Sequence, residues 1–219
     1  MPNQLEKKSE SLRKTLRSAS RKALYVLGIG PPEYAFRIRT RLTEAEKILL
    51  FKTARRLPIG GIGLEVGSYI GASTCFIAAA IKQRRGKLHC VDTWANTAMD
   101  EGQRDTWAEF MDNTARLRDV IIPHRGFSLE VAEDFSGLFD FLFIDADHSD
   151  EAVDADARAW LPKVRPGGIV AFHDLGYKSV QKAVDRYVRG KMIPEAELPN
   201  LLICRIPAPG PQVSQFASA

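Results

Sequence analysis

The sequence has few cysteines, no long apolar run and no large excess of one charge. Only three of its 219 residues are cysteines, and no two of them form a Cys-x-x-Cys pair. A zinc site and a disulfide framework are therefore not expected. No apolar stretch approaches the ~20 residues of a bilayer-spanning helix, which predicts no stable membrane insertion. The N-terminus is polar and basic, unlike a secretory signal, and we predict a cytoplasmic protein.

The positive charge is unevenly distributed. The net charge is +4 and the pI about 9.0, but residues 1–25 alone carry seven Lys and Arg against two Glu. The rest of the chain is close to neutral and lacks interleaved basic and aromatic residues, so we predict no nucleic-acid partner. Residues 1–30 are predicted to form a basic helical arm. It ends at Pro31 and Pro32 and is a candidate contact between subunits of a homo-oligomer.

After the arm, strand and helix patterns alternate. Thr43 and Glu46 have the spacing of a capping box and predict a helix over 44–56 that stops at Pro58. The predicted strands are 62–66, 87–91, 119–123, 139–144 and 168–172. The predicted helices that follow them are 72–83, 101–117, 128–134, 150–160 and 176–189. Nearly continuous apolar strands between helices favour a parallel sheet covered on both faces.

The end of the chain departs from this alternation. Two extended runs, 191–198 and 201–206, are joined by Pro199 and Asn200 and predict an antiparallel hairpin. The fold class is therefore α/β, with five parallel strands, a C-terminal antiparallel hairpin and helices on both faces. One domain is predicted over 31–206, and the tail 207–219 is predicted to be disordered.

The first predicted strand leads into a glycine loop. Glu65 ends the apolar run, Gly67 and Gly71 follow, and a helix begins at Ala72. The N–H groups of such a loop and the positive end of the helix dipole favour an anionic group. The spacing E-x-G-x-x-x-G differs from the G-x-G-x-x-G of dinucleotide-binding folds.

The next two strands also end in candidate binding residues. Asp92 follows the second strand, where a carboxylate can accept two hydrogen bonds from a ribose diol. Trp94 either stacks on a base or covers the loop. Phe127, after the third strand, is either the wall of a pocket or a core residue, and Ser128 either binds a ligand or caps the following helix.

Acids and imidazoles follow the fourth and fifth strands. Asp145, Asp147 and His148 come after the fourth strand, and His173 and Asp174 come after the fifth. Ligands of open α/β sheets bind at these carboxyl ends, so the five side chains are expected at one edge. Helix capping by Asp147 or by Ser149 accounts for one residue of the set. The others indicate a cation site, a proton-transfer site or both.

These motifs together resemble those of the class I S-adenosylmethionine-dependent methyltransferases. The resemblance covers about 42–206 and includes an IDxDHS…LxPGGxxxxHD pattern, matched by Ile144-Asp145, Asp147-His148-Ser149, Leu161, Pro166-Gly167-Gly168 and His173-Asp174. It implies a Rossmann-like seven-stranded methyltransferase fold and S-adenosylmethionine as cofactor. It implies cofactor contacts from Glu65, Gly67, Ser68, Tyr69, Gly71, Ser73, Asp92, Trp94, Gly126, Phe127, Ser128 and Asp145, with adenine near the third strand.

The acidic edge is similar to that of metal-dependent catechol-type and sugar O-methyltransferases. This similarity implies that Asp145, His173 and Asp174 hold a divalent metal such as magnesium or manganese. It also implies that Asp145 and His148 are catalytic, with His148 as the base. His173 stands where that pattern usually has an acid. Since magnesium prefers oxygen ligands, the imidazole favours manganese, iron, zinc or no metal.

The acceptor is expected to be a hydroxyl group of a small molecule. The chain lacks the N-P-P-Y and Pro-Cys motifs that the resemblance would connect with methylation of amino groups and of cytosine carbon. We therefore predict O-methylation of a glycosyl or polyhydroxylated metabolite. Two alternatives stay open: an NAD(P)-dependent oxidoreductase, suggested by the loop and Asp92, and an RNA methyltransferase or nucleic-acid-binding module, suggested by the arm.

Overall fold

A computed structural model describes residues 15–16, 18–96 and 102–208. Its centre is a single sheet of seven strands with the order β3-β2-β1-β4-β5-β7-β6. The strands are β1 (Ile62–Val66), β2 (Lys87–Asp92), β3 (Ile121–Arg125), β4 (Phe139–Ile144), β5 (Val164–His173), β6 (Ile193–Leu198) and β7 (Leu201–Arg205). The first five are parallel, and β7 pairs antiparallel with both β5 and β6. The predicted α/β fold class and its hairpin are confirmed.

Helices cover the sheet on both faces. They are α1 (18–26), α2 (Glu44–Ala54), α3 (Ala72–Gln83), α4 (Trp107–Thr114), α5 (Ser128–Asp134), α6 (Asp150–Trp160) and α7 (Lys178–Tyr187). The predicted capping box is present at the start of α2, where Thr43 and Glu46 each bond the backbone N–H of the other. One apolar core packs α2 and α3 against the sheet, and a second packs α6 and α7 against the opposite face.

The strand register explains why four candidate residues meet. Val91, Val66, Ile144 and Phe172 are aligned across β2, β1, β4 and β5. Since these strands run parallel, the residue after each lies at the same edge of the sheet. Those residues are Asp92, Gly67, Asp145 and His173.

Two predicted elements are displaced along the chain. Strand β3 spans Ile121–Arg125, two residues later than expected, and Pro123 lies inside it. Pro123 is tolerated because β3 is an edge strand, where a missing N–H need not break a ladder. The helix predicted over 101–117 begins only at Trp107, whose N–H donates to the Asp105 carboxylate.

The described part of the arm packs on its own domain. Ser18 donates to Glu33 at 2.6 Å, and Arg21 pairs with Glu44 at 2.7 Å. The Arg21 guanidinium also lies 4.0 Å from the centre of the Phe36 ring. Residues 1–14 of the arm and 209–219 of the predicted disordered tail lie outside the described residues. The arm as an oligomer contact stays a prediction.

The remaining general predictions concern membrane and thiol chemistry. None of the helices in the described ranges combines the length and the apolar character needed to cross a bilayer. Cys75, Cys90 and Cys204 are all free, buried thiols. Burial raises the pKa of Cys75 to about 12 and that of Cys204 to about 11, so both remain uncharged in the core.

A histidine pair between β2 and β3 makes stability depend on pH. His89 Nδ1 lies 2.8 Å from His124 Nε2, and burial together with repulsion by His124 lowers the pKa of His89 to about 4. Between pH 6.5 and 4 the unfolded chain therefore binds more protons at this residue than the folded chain. We expect the free energy of unfolding to fall on acidification through this window.

The comparison of wild type with His89→Asn isolates this contribution from that of distant groups. Urea denaturation at pH 7, 5.5 and 4.5 should show the wild type losing stability relative to the variant as the pH falls. A difference between the two proteins that does not change with pH would contradict the assignment.

Candidate active site

The glycine loop lies directly against the end of β4. Gly67 has φ +87°, and its N–H donates to the carbonyl of Val91 at 2.9 Å. A Cβ at this position would lie 2.1 Å from the backbone oxygen of Asp145. Gly71 also has φ +87° and caps α3, where a Cβ would lie 2.6 Å from Thr114 Cγ2. Only glycine therefore permits this close approach of loop, strand and helix.

Asp92 holds the loop in its conformation. Its Oδ2 accepts from the N–H groups of Ser68 and Tyr69 at 2.9 and 2.8 Å, and its Oδ1 accepts from Trp94 N–H at 2.7 Å. The half-buried carboxylate also lines the large cleft beside the loop. The sequence predicted the position of Asp92 but missed this structural role.

Glu65 is fully buried beneath the loop. Burial raises its pKa to about 7, although hydrogen bonds from Ser73, Thr74 and Ser68 oppose the shift. The Ser68 hydroxyl donates to Glu65 Oε2 at 2.8 Å, and Thr74 donates to the same oxygen. Oε1 has no hydrogen-bond partner among the described residues. Because Glu65 does not line the large cleft, it supports the glycine loop from beneath. The loop itself, which only glycine can form and which borders the cleft, fits the methionyl end of S-adenosylmethionine.

The cleft beside the loop has a volume of about 530 Å³. It extends from the glycine loop across the ends of β2, β3 and β4. Its lining includes Gly67, Tyr69, Asp92, Gly126, Phe127, Ser128, Asp145, Asp147 and Asp156. Most of the predicted cofactor residues therefore surround one cavity large enough for a nucleoside.

Phe127 and Trp94, the two aromatic residues predicted to contact the cofactor, lie in different environments. Phe127 is 66% exposed at its edge and is therefore not a core residue. Trp94 has φ +51°, is fully buried, and packs with its ring centroid 4.7 Å from those of Trp107 and Phe110. The side chain of Trp94 lies in the core on the α3 side of the sheet and does not line the cleft. Of the two alternatives for Trp94, stacking on a base therefore does not hold, and with it the predicted cofactor contact.

Ser128 does not cap α5, because Phe127 holds the capping position without a side-chain bond. The Ser128 Oγ instead accepts from Trp160 Nε1–H at 2.7 Å and lines the cleft. Helix capping at α6 is provided by Ser149, which accepts from Ala152 N–H at 3.3 Å. Asp147 supports that turn by accepting from Ser149 N–H.

The acids and imidazoles at the ends of β4 and β5 are in contact. His148 Nε2 lies 2.6 Å from Asp174 Oδ2. His173 Nδ1 lies 3.0 Å from Asp145 Oδ1 and 3.4 Å from Asp174 Oδ1. Asn200, from the turn between β6 and β7, donates to Asp174 Oδ1 at 2.6 Å.

This network shifts the pKa values of His148, His173 and Asp174. Hydrogen bonding and charge from Asp174 raise the pKa of His148 against the opposing effect of burial. Burial also disfavours the charged form of His173, but hydrogen bonds with Asp145 and Asp174 outweigh it and raise the pKa to about 10. Although burial disfavours the Asp174 carboxylate, its contacts with both imidazoles hold its pKa far below the usual range.

The side chains that could share a cation differ from the predicted ligands Asp145, His173 and Asp174. The donor atoms of Asp145, His148 and Asp174 all lie within 4.8 Å of one another. His173 is behind them, with only 3% of its surface exposed and its Nε2 3.6 Å from Glu46 Oε2. Two carboxylates and one imidazole fit a transition metal better than magnesium. The geometry therefore places His148, rather than His173, in the group that fits a metal.

A second, smaller cavity of about 90 Å³ lies beside this network. It shares Gly67, Tyr69, Asp145 and Ala146 with the large cleft, so the two cavities meet at the glycine loop. Its other walls are Thr40, Arg41, Leu42, Ser68, Ala72, Ser73, His148, His173, Asp174 and Tyr177. The Tyr177 ring stacks on His148 with centroids 4.4 Å apart and planes 9° from parallel. A molecule bound in the large cleft would thus lie next to a second molecule bound in the small cavity.

Sequence analysis missed several of these residues. Asn200, Tyr177 and Thr74 had no assigned role, and residues 40–42 were outside every predicted motif. A signal was available only for Asn200, because the predicted hairpin places its turn beside the end of β5. Tyr177 follows a turn in which Asp174 has φ +60°, a conformation that the sequence did not indicate.

The chain belongs to a family described as a methyltransferase domain, whose sequence model matches residues 64–175. That range contains the glycine loop, the ends of β1 to β5, and both His148 and His173. With the seven-stranded sheet, the match confirms a class I S-adenosylmethionine-dependent methyltransferase. The family match favours this class over the oxidoreductase alternative.

Solved structures support the same fold. A putative O-methyltransferase from Klebsiella pneumoniae is 15% identical, with a TM-score of 0.61 over 87% of this chain and 97% of that one. An O-methyltransferase from Bacillus cereus, solved with SAH, is 14% identical, with a TM-score of 0.61 over 86% and 97%. The tomaymycin-synthesis O-methyltransferase from Streptomyces achromogenes, solved with SAM, is 16% identical, with a TM-score of 0.61 over 87% and 89%.

Proposed function

We propose that the protein transfers a methyl group from S-adenosylmethionine to a hydroxyl of a small molecule, of the glycosyl or polyhydroxylated class. The observation that carries this proposal is the contact of His148 with Asp174 at the wall of the small cavity. A hydroxyl is a poor acid, so its methylation needs a base beside the acceptor oxygen. The O-methyltransferases among the similar structures agree with this choice.

The large cleft is the proposed cofactor site. Gly67 and Tyr69 face the methionyl end, with Glu65 beneath the loop, Asp92 receives the ribose, and the loop from Gly126 to Ser128 borders the base. Because the two cavities meet at Gly67 and Tyr69, the sulfonium methyl group would point toward the small one. Alignment of donor and acceptor in this way contributes several kcal/mol to catalysis.

The chemistry is an in-line displacement without a covalent enzyme intermediate. The acceptor oxygen attacks the methyl carbon, the carbon–sulfur bond breaks, and the acceptor proton is transferred to His148. Since His148 Nε2 faces Asp174, the proton is taken by Nδ1, and Asp174 stabilises the resulting imidazolium. A divalent metal held by the carboxylates of Asp145 and Asp174 would lower the pKa of the acceptor hydroxyl. In this role His148 acts as the base and does not ligate the metal, although its ring lies close enough to do so.

The first test is cofactor identity. Calorimetry should show S-adenosylhomocysteine binding and no NAD binding, and Asp92→Ala should weaken the former by about 1.5–3 kcal/mol, the scale of hydrogen bonds to a charged group. Asp119→Ala is a matched control, because Asp119 is exposed and pairs with Lys82 outside the cleft. NAD binding without S-adenosylhomocysteine binding would refute the proposal.

The second test is the acceptor class. Transfer of the radiolabelled methyl group should be measured to paired hydroxyl and amino compounds of equal size, with and without EDTA. Product formed only from the hydroxyl members would support O-methylation, and product formed only from the amines would refute it. Loss of turnover in EDTA that one divalent ion restores would assign a catalytic metal.

A further inference from the structure

Asp156 is a buried carboxyl group that the proposed chemistry does not use. It lies on α6, is 4% exposed, and lines the large cleft. Burial raises its pKa to about 6, although a hydrogen bond with Ser128 opposes the shift. A carboxylate so poorly hydrated is costly unless a further donor reaches it.

The bond between Ser128 and Asp156 has a defined direction. Trp160 Nε1–H donates to Ser128 Oγ at 2.7 Å. The hydroxyl of Ser128 has a single proton, which it donates to the Asp156 carboxylate. An ionised carboxylate can accept about four hydrogen bonds, so Asp156 keeps acceptor capacity beyond the one that Ser128 uses.

The position of Asp156 within the cleft is the next step. Gly67 and Tyr69 form one end, and Asp92 lies beside them. The far end is formed by the loop from Gly126 to Glu130 and by Ala152, Ala155 and Asp156 of α6. A nucleoside cofactor with its methionyl group at the glycine loop and its ribose at Asp92 must place its base at this far end.

Adenine brings a hydrogen-bond donor, its 6-amino group, to that end. Phe127 provides no acceptor there. Asp147 is exposed, so water competes for it, and it already accepts from Ser149 N–H. Asp156 is the buried acid among the described residues of this end, where a hydrogen bond to a ligand is least weakened by solvent.

We infer that Asp156 accepts a hydrogen bond from the 6-amino group of the cofactor's adenine and makes the site selective for a 6-amino over a 6-oxo purine. This inference rests on the proposed function, because it requires the adenosyl group in the large cleft. A 6-oxo purine would turn a carbonyl oxygen toward the carboxylate, leaving two acceptors facing each other without a proton between them. Ser128 acts as a positioning residue that orients Asp156.

The test compares two ligands by calorimetry: S-adenosylhomocysteine and S-inosylhomocysteine, its 6-oxo analogue. Wild type should bind the 6-amino ligand at least tenfold more tightly. Asp156→Asn should reduce or reverse this preference, because an amide N–H can donate to the 6-oxo group. Asp156→Ala should weaken S-adenosylhomocysteine binding about tenfold or more and bring the two ligands closer in affinity. Glu133→Gln is the matched control, because Glu133 is an exposed acid of α5 outside the cleft lining.

Several outcomes would overturn the inference. If the wild-type protein binds the two ligands with affinities within threefold of each other, that result alone overturns the inference. The inference is also overturned if the Asp156→Asn and Asp156→Ala variants melt at the wild-type temperature but still prefer S-adenosylhomocysteine to S-inosylhomocysteine as strongly as wild type does. Absence of S-adenosylhomocysteine binding in wild type would instead refute the proposed function, so the two failures are distinguishable.

Discussion

Gly67→Ala is expected to abolish binding of S-adenosylhomocysteine and to lower the free energy of unfolding. The added Cβ would lie 2.1 Å from Asp145 O and 2.5 Å from Asp145 C, and both atoms belong to the backbone at the end of β4. Neither can rotate away as a side chain would. The alanine would also need φ +87°, a conformation that costs about 1–2 kcal/mol for a residue with a Cβ. The loop must therefore move, and its Ser68 and Tyr69 N–H groups lose their hydrogen bonds to Asp92.

Gly60→Ala separates backbone strain from the clash. Gly60 has φ +74°, but a Cβ there would meet no atom within 4 Å. This control should lose about 1 kcal/mol of stability and keep its affinity for S-adenosylhomocysteine. Thermal melts and calorimetry on both variants give the comparison. Equal loss of stability in the two variants, or retained ligand affinity in Gly67→Ala, would show that the loop tolerates a displacement from β4.

The five parallel strands and the C-terminal hairpin could be predicted from the sequence, whereas element boundaries could not always be. Apolar strands of β-branched and aromatic residues alternate with helices that have clear stop signals, which defines a parallel sheet. The predicted strand 119–123 ended at Pro123, whereas β3 continues beyond the proline to Arg125. The tolerance of Pro123 depends on β3 being an edge strand, which is a property of the whole sheet.

The candidate site was predictable where it depends on strand ends. Gly67, Asp92 and Asp145 follow residues that the register aligns, so their meeting requires only the sheet order. Trp94 was not predictable in this way, because its φ of +51° turns the side chain back into the core. No local pattern in the sequence indicates that conformation for a tryptophan.

The two imidazoles show a second limit. Successive residues of a strand point to opposite faces, so the face of His173 depends on where β5 ends. Strand β5 continues through His173, whose side chain points toward Glu46 of α2 and becomes buried. His148 lies beyond β4, in the turn before α6, and is therefore able to line the small cavity. Both imidazoles line the small cavity, but His148 is partly exposed there whereas His173 is 3% exposed. The sequence placed both residues at the edge but could not tell which one would be the more accessible.

His148→Ala is expected to reduce turnover about 10²-fold or more while leaving the affinity for S-adenosylhomocysteine unchanged. The residue lines the small cavity but not the large cleft, so its removal affects proton transfer and not cofactor binding. The variant leaves a space beside the Tyr177 ring, which stacks on the imidazole in the wild type. Imidazole added to the assay should occupy this space and restore part of the activity.

His124→Ala is the matched control for this experiment. It removes an imidazole of similar burial that contacts His89 on β2 and lines neither cavity, so turnover should remain and imidazole should have no effect. Chelation separates the base from the metal ligand. If His148 were needed only to hold a cation, the variant would be rescued by excess metal and not by imidazole. Rescue by imidazole in the presence of EDTA would assign His148 as the base, because it restores a proton acceptor where no metal is available. Turnover of the variant equal to that of wild type would exclude His148 from both roles and leave the acceptor proton to another group of the Asp145 and Asp174 network.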